Sequence, residues 1–268
     1  MSNGVLLAAF DSVTDSGRYL DYRRMAQIVA NLVRKRLRVP VAVMTNSHLD
    51  GFDQVILVEP PAAATRVAKF GPIHETYAWR NDVRRSAFAL SPFDRTLMMD
   101  VDYFPISDNL HSVFHSDAPF MIVQETYDPA GKNQWSKYDT LPNNTIPQLW
   151  ATVMCWDKNA AHHFEYANSI AENYPFYAAM FGFPKTPLRN DLVFSIVGHQ
   201  LGYAPIPGRM MMTGADTKLL GPRPNPVRSL RLRTKENQVL NINSDIHVMD
   251  KSLASNKDVL ETLYQWSL

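Results

Sequence analysis

The chain has 268 residues, 46% hydrophobic and 20% charged, enough to bury the core of one substantial globular domain. Its 27 basic and 26 acidic residues leave a formal charge of +1, which excludes a global electrostatic attraction to nucleic acid or to an anionic membrane. Cys155 is the only cysteine, so an internal disulfide and a thiolate-rich zinc site are excluded, and no apolar run approaches a membrane-spanning length.

The first residues carry no basic stretch, and Asp11 interrupts the apolar run far short of a secretion signal, so a cytoplasmic location is expected. Residues 4–10 form a continuous apolar run of strand length. Residues 19–37 follow with Met25, Ile28, Val29, Leu32 and Val33 spaced at three and four, which predicts a helix with one apolar face. Arg23, Arg24, Arg34, Lys35 and Arg36 fall mostly on its solvated side. Residues 39–45 and 54–58 are β-branched runs bounded by Pro or Asn/Asp and are expected as strands. A second helix is expected over 74–90, stopped by Ser91-Pro92, and then a buried strand over 95–101 through Leu97, Met98 and Met99.

This order predicts an α/β, Rossmann-like domain with a mostly parallel central sheet covered on both faces. Further strands are expected at 118–124 and 147–156, helices at 159–173 and 190–201, and a C-terminal helix within 253–268. Adjacent His162 and His163 are expected at the surface. The C-terminal half is less regular, and its prolines suggest long shaped loops around a site. A single domain over 1–268 is expected, with a nucleotide-binding half at 1–110, an acceptor-side half at 111–252, and the terminal helix.

Asp100 and Asp102 are two residues apart at the carboxyl end of the predicted buried strand, so on extended backbone both side chains leave the same face. Ligands of open α/β sheets collect at such strand ends. Two converging carboxylates repel unless a cation lies between them or one is protonated. A hard divalent ion relieves that repulsion and leaves coordination positions for diphosphate oxygens. The bland alternative is a strand end followed by a capped turn before Phe104-Pro105.

With Arg80-Asn81-Asp82 upstream and Ser91-Pro92-Phe93-Asp94-Arg95-Thr96-Leu97-Met98-Met99-Asp100-Val101-Asp102 as one run, the chain resembles glycosyltransferases of the A-type fold. It is most similar in pattern to glycogenin-like and small bacteriophage enzymes. The resemblance covers about residues 1–200, with a short motif in the tail. It implies a UDP-sugar donor and Mn²⁺, or Mg²⁺, held by Asp100, Asp102 and His247 in Ile246-His247-Val248-Met249-Asp250-Lys251. Lys251 would touch the diphosphate, although its spacing from His247 is shorter than in glycogenin-like enzymes and lacks their glycine. His247 also reads as an ordinary strand histidine.

The resemblance further implies that Asn190-Asp191 lies beside the donor sugar, with Asp191 at its anomeric carbon. At a helix start Asp191 has a structural reading too. Ala8, Ala9 and Phe10 would face the base and ribose, Val101 would line the donor site, and Thr45-Asn46 would add polar contacts. Arg80 would approach the phosphates, while Arg84, one turn on, reads rather as solvated helix charge.

His111 and His115 have i, i+4 spacing but no adjacent glutamate, and are set aside as metal ligands. Dinucleotide, P-loop and nucleophile-elbow motifs are missing, and no glycine precedes Gly17 in the turn after the first strand, which disfavours nucleotidyl transfer. Arg228, Arg231 and Arg233 form a basic stretch, with the last two on one face if extended. It reads either as a track for a phosphate backbone or as a charged edge strand. Sugar transfer to a hydroxyl is the expected reaction. The phage resemblance makes a hydroxymethylated base of duplex DNA one acceptor, beside saccharide and protein hydroxyls. A non-catalytic nucleotide- or nucleic-acid-binding module of the same fold is the alternative.

Overall fold

A computed structural model of the protein describes residues 2–59, 64–70, 73–79, 83–130, 146–214, 217–222, 229–234 and 236–268. The chain opens with β1 (Asn3–Ala8), short strands β2 (Ser12–Val13) and β3 (Tyr19–Leu20), helix α1 (Tyr22–Arg36), β4 (Val41–Thr45) and β5 (Gln54–Leu57). Helix α1 starts later than its periodicity predicts, because Asp21 caps it by accepting from Arg24 N at 2.8 Å. Its last turn carries Arg34, Lys35 and Arg36, a favourable match to the negative end of the helix dipole.

The helix expected over 74–90 is corrected. β6 (Ala64–Phe70) and β7 (Ile73–Trp79) pair antiparallel, and α2 covers only Val83–Leu90. Long-range pairing with β6 overrides the helical reading of the first half of that segment. β8 (Arg95–Met99), β9 (Tyr103–Phe104), β10 (Phe120–Val123), β11 (Thr126–Tyr127) and β12 (Trp150–Asp157) follow. Helices α3 (Ala161–Glu172), α4 (Tyr174–Met180) and α5 (Asn190–Leu201) precede a series of short strands. These are β13 (Ala204–Pro205), β14 (Met210–Met212), β15 (Lys218–Pro222), β16 (Leu230–Arg233), β17 (Val239–Ile242) and β18 (Ile246–His247), and α6 (Lys257–Ser267) ends the chain.

The central sheet has seven strands in the order β13-β10-β12-β8-β1-β4-β5. β8, β1, β4 and β5 are parallel neighbours, and only β12 runs against both of its own. Alternation along these strands feeds two cores. Val5, Leu7, Val41, Val43, Leu97 and Met99 face α1 and α6, whereas Leu6, Ala42, Met44 and Met98 face α2, α3 and α5. Cys155 lies wholly in the first core, where burial pushes its thiol up to about 12.

His163 is not at the surface as expected. It is buried, stacked on Phe120 with ring centroids 4.7 Å apart, and its Nε2 lies 3.0 Å from Gly202 O. His162 is exposed. A small second sheet, β11-β14-β18-β9, carries the tail back to the end of β8, and β15-β16-β17 form a third. β16 is the middle strand of that third sheet, so its arginines do not sit on an edge. Among the described residues no helix is long and apolar enough to cross a membrane.

The join between β1 and β8 depends on Gly4. A Cβ there would lie 2.4 Å from the Phe93 ring. Gly4→Ala is therefore expected to destabilise the protein by about 1–3 kcal/mol through forced repacking, measured by urea unfolding, with part recovered when Phe93 is shortened to Leu.

Candidate functional site

Asp100 and Asp102 stand just past the carboxyl end of β8, where the parallel strands open onto a cavity of about 170 Å³. Its lining joins parts far apart in sequence: Ala8 at the end of β1 and Phe10 just past it, Asp100, Val101 and Asp102, Asn190 and Asp191 at the start of α5, and His247 and Lys251 from the tail. The structure thus brings together most of the residues that the sequence singled out. Thr45 and Asn46 do not line this cavity; Thr45 is fully buried and Asn46 is exposed. Arg80 and Arg228 lie outside the described residues.

Asp102 is 6% exposed and holds two partners, Lys251 Nζ at 2.5 Å and His247 Nε2 at 3.2 Å. Burial alone would raise its carboxyl, but the Lys251 ammonium and His247 outweigh burial and hold it well below the usual carboxylate range. Lys251 shows the converse. Burial works against its charge, yet Asp102 and the nearby Tyr22 and Tyr77 phenols raise it above an ordinary lysine. His247 is placed by strand pairing, since β18 runs antiparallel to β9 with His247 opposite Tyr103, and Val248 N donates to Asp102 O at 2.9 Å.

Arg84 was expected in solvent, and this is corrected. It is 3% exposed, forms an ion pair with Asp100 and donates from Nη1 to Ala151 O at 2.6 Å. Arg84 shares the buried side of α2 with Val83 and Ala87, and the Asp100 carboxylate compensates its buried guanidinium. Ala151 N in turn donates to Asp191 Oδ1 at 3.0 Å, and Arg189 holds Asp191 Oδ2 at 3.0 Å. Asn190 accepts from Arg85 Nη1 at 3.1 Å. The α5 start is thus fastened to β12 and α2 by its functional candidates themselves. The sequence also missed Tyr22, Tyr77, Trp150 and Arg189, whose types carry no spacing signal.

One donor atom from each of Asp100, Asp102 and His247 lies within 4.8 Å of the others, and this is the one such cluster among the described residues. His247 Nδ1 is buried with no hydrogen-bond partner among them. Two carboxylates, an imidazole and open cavity space fit an octahedral divalent ion such as Mn²⁺ or Mg²⁺. The His111 and His115 rings, by contrast, lie tilted against each other with centroids 5.0 Å apart.

No family model and no curated protein matches the sequence. Among solved structures, the galactosyltransferase LgtC in complex with donor and acceptor sugar analogs matches with a TM-score of 0.56 at 12% identity, over 98% of this chain and 95% of LgtC. The fold is that of LgtC. An active-site mutant of LgtC matches at 0.52 and 12% identity over 92% of this chain and 87% of its own. The glycosyltransferase GlyE of Streptococcus pneumoniae TIGR4 matches in part, at 0.44 and 9% identity over 77% of this chain and 45% of GlyE.

The β6–β7 hairpin, which brings Tyr77 to the cavity, is latched by Glu75 on Arg18 at 3.1 and 3.2 Å. The Arg18 hydrogen bonds lower the Glu75 carboxyl from 4.5 to about 2. A depressed acid stabilises the fold above its unfolded value and loses that contribution as pH falls toward its folded value. Stability to urea should therefore decline between pH about 4.5 and about 2, and Glu75→Gln should flatten this part of the profile.

Proposed function

We propose that the protein is a metal-dependent glycosyltransferase that moves a sugar from a nucleoside diphosphate, a UDP-sugar, to a hydroxyl acceptor. The observation that carries this reading is the meeting of Asp100, Asp102, His247 and Lys251 in one cavity at the strand ends of an LgtC-like fold. A bound Mn²⁺ or Mg²⁺ would supply fixed positive charge to the departing diphosphate. Asp100, Asp102 and His247 would hold it, and Lys251 is close enough to share its charge with the same phosphate oxygens. Arg84 holds the Asp100 carboxylate in place through their ion pair. Ala8 and Phe10 form an apolar wall suited to a base, against which the ring of Phe10 can pack.

Asp191 is fixed through both oxygens, which suits a group that orients the donor sugar. The resemblance to glycogenin-like enzymes supports retention at the anomeric carbon. For the acceptor, the phage resemblance supports a hydroxymethylated base in duplex DNA. Arg231 and Arg233 project from the same side of β16, the first half-buried and the second exposed, as contacts to a phosphate backbone require. Saccharide and protein hydroxyls are the competing acceptors, and a binding module without turnover is the competing class.

UDP should raise the melting temperature only with Mn²⁺ present, and Asp102→Asn should abolish that shift; no shift with any nucleoside diphosphate sinks the reading. Lys251→Met gives a sharper test. It removes the cation that competes for Asp102, so Mn²⁺ affinity should rise while donor turnover falls by about tenfold or more, read by calorimetry and by mass spectrometry of donor hydrolysis. If the acceptor is modified DNA, labelled sugar should appear on hydroxymethylated duplexes and not on plain ones, with a salt-sensitive loss on charge reversal at Arg231 and Arg233.

A further inference from the structure

A second cavity, of about 650 Å³, lies on the far side of the segment that carries Lys251. Its wall takes Lys218 from β15, Arg233 from β16, Lys257 from the start of α6, and Arg18. Arg18 is committed to Glu75. Lys218, Arg233 and Lys257 are exposed and make no ion pair or hydrogen bond among the described residues. Lys218 and Arg233 stand directly opposite each other in the antiparallel pairing of β15 with β16. Such partners point to one face, and like charges there destabilise the pair.

The acids on this wall do not cancel the charge. Asp250 is buried and turned toward Ser252, whose N and Oγ lie 3.0 and 2.7 Å from it. Asp250 also meets the charge of Lys218, and Asp258 is the one exposed carboxylate on this wall beside Lys218, Arg233 and Lys257. Lys218 and Arg233 put two cations side by side on one face, which two linked phosphates match better than one carboxylate does, and the guanidinium fork of Arg233 suits phosphate oxygens. The volume lies in the range of small-molecule sites.

We propose that this cavity binds a small molecule bearing two or more phosphate groups, held by Lys218, Arg233 and Lys257 and separate from the carboxylate cavity. The inference does not depend on sugar transfer, and its test needs neither metal nor donor. The probe is inorganic tripolyphosphate, titrated calorimetrically into the full chain with a chelator present. Saturable one-to-one binding is expected, weakening with added salt.

The double variant Lys218→Gln/Arg233→Gln should lose about tenfold or more in affinity, while Lys251→Met should bind as the wild type does. Without the probe, the double variant should melt no lower than the wild type, because it removes a repulsion. The probe should raise the melting temperature of the wild type and of Lys251→Met, and that of the double variant far less. The proposal is overturned if binding is not saturable, if the double variant binds equally, or if Lys251→Met abolishes binding, which would place the anion in the carboxylate cavity. A short DNA duplex that displaces the probe and binds more tightly would overturn it and would favour instead the modified-DNA acceptor proposed above, for which Arg233 is a backbone contact.

Discussion

Two carboxylates at the end of one buried strand repel each other, and the groups around them are arranged to answer that repulsion. At a separation within 4.8 Å and an effective dielectric of about 20, two like charges cost roughly 3–4 kcal/mol. Arg84 on α2 answers Asp100, while His247 and Lys251 from the tail answer Asp102. Arg84 lies far in sequence from His247 and Lys251, which come from one short stretch of the tail. Each must be delivered by a different part of the fold: the short helix before β8, the β9–β18 pairing, and the turn that follows it.

The delivery rests on strand periodicity. Alternation in β1, β4 and β8 splits the core into two layers and leaves the strand ends free of bulky cover. The same alternation recurs in the tail, where Met249 and Lys251 line the carboxylate cavity while Asp250 and Ser252 line the cationic one. One short stretch, at the start of a 3-10 turn over Lys251–Ser255, therefore serves as a wall between two chemically opposite spaces. Arg18 and Tyr77 do something comparable from the other side, because the hairpin latched by Arg18 presents Tyr77 to the first cavity.

Much of this was legible in the sequence where local pattern and tertiary role agree. α5 spans 190–201 as its sequence predicts, and the run from Arg95 to Asp102 carries its own strand and its own chemistry. The 74–90 segment was not legible. Its pairing partner β6 is a neighbour whose contribution lies in hydrogen bonds rather than in residue type, so single-sequence pattern could not supply it. Arg84 was misplaced because a guanidinium reads as a surface charge, whereas here it lies on the buried side of α2 with Val83 and Ala87 and pairs with Asp100. His163 was missed for a related reason, since adjacency to an exposed histidine says nothing about the aromatic pocket formed by Phe120. The short His247–Lys251 spacing, which departs from the glycogenin-like pattern, still brings Lys251 onto Asp102.

The distance in sequence between Asp102 and Lys251 has a meaning for biosynthesis. The two are 149 residues apart. At translation rates of about 5–20 residues per second, Asp102 is made roughly 7–30 s before the lysine that neutralises it. Through that interval the emerging sheet must carry its carboxylates hydrated, or with the help of Arg84 alone. The arrival of Lys251 is then a charge-closing step. A nascent chain stalled before residue 247 would hold a folded strand with an open, acidic mouth, to which soluble cations or chaperones have access that they lose once the tail arrives.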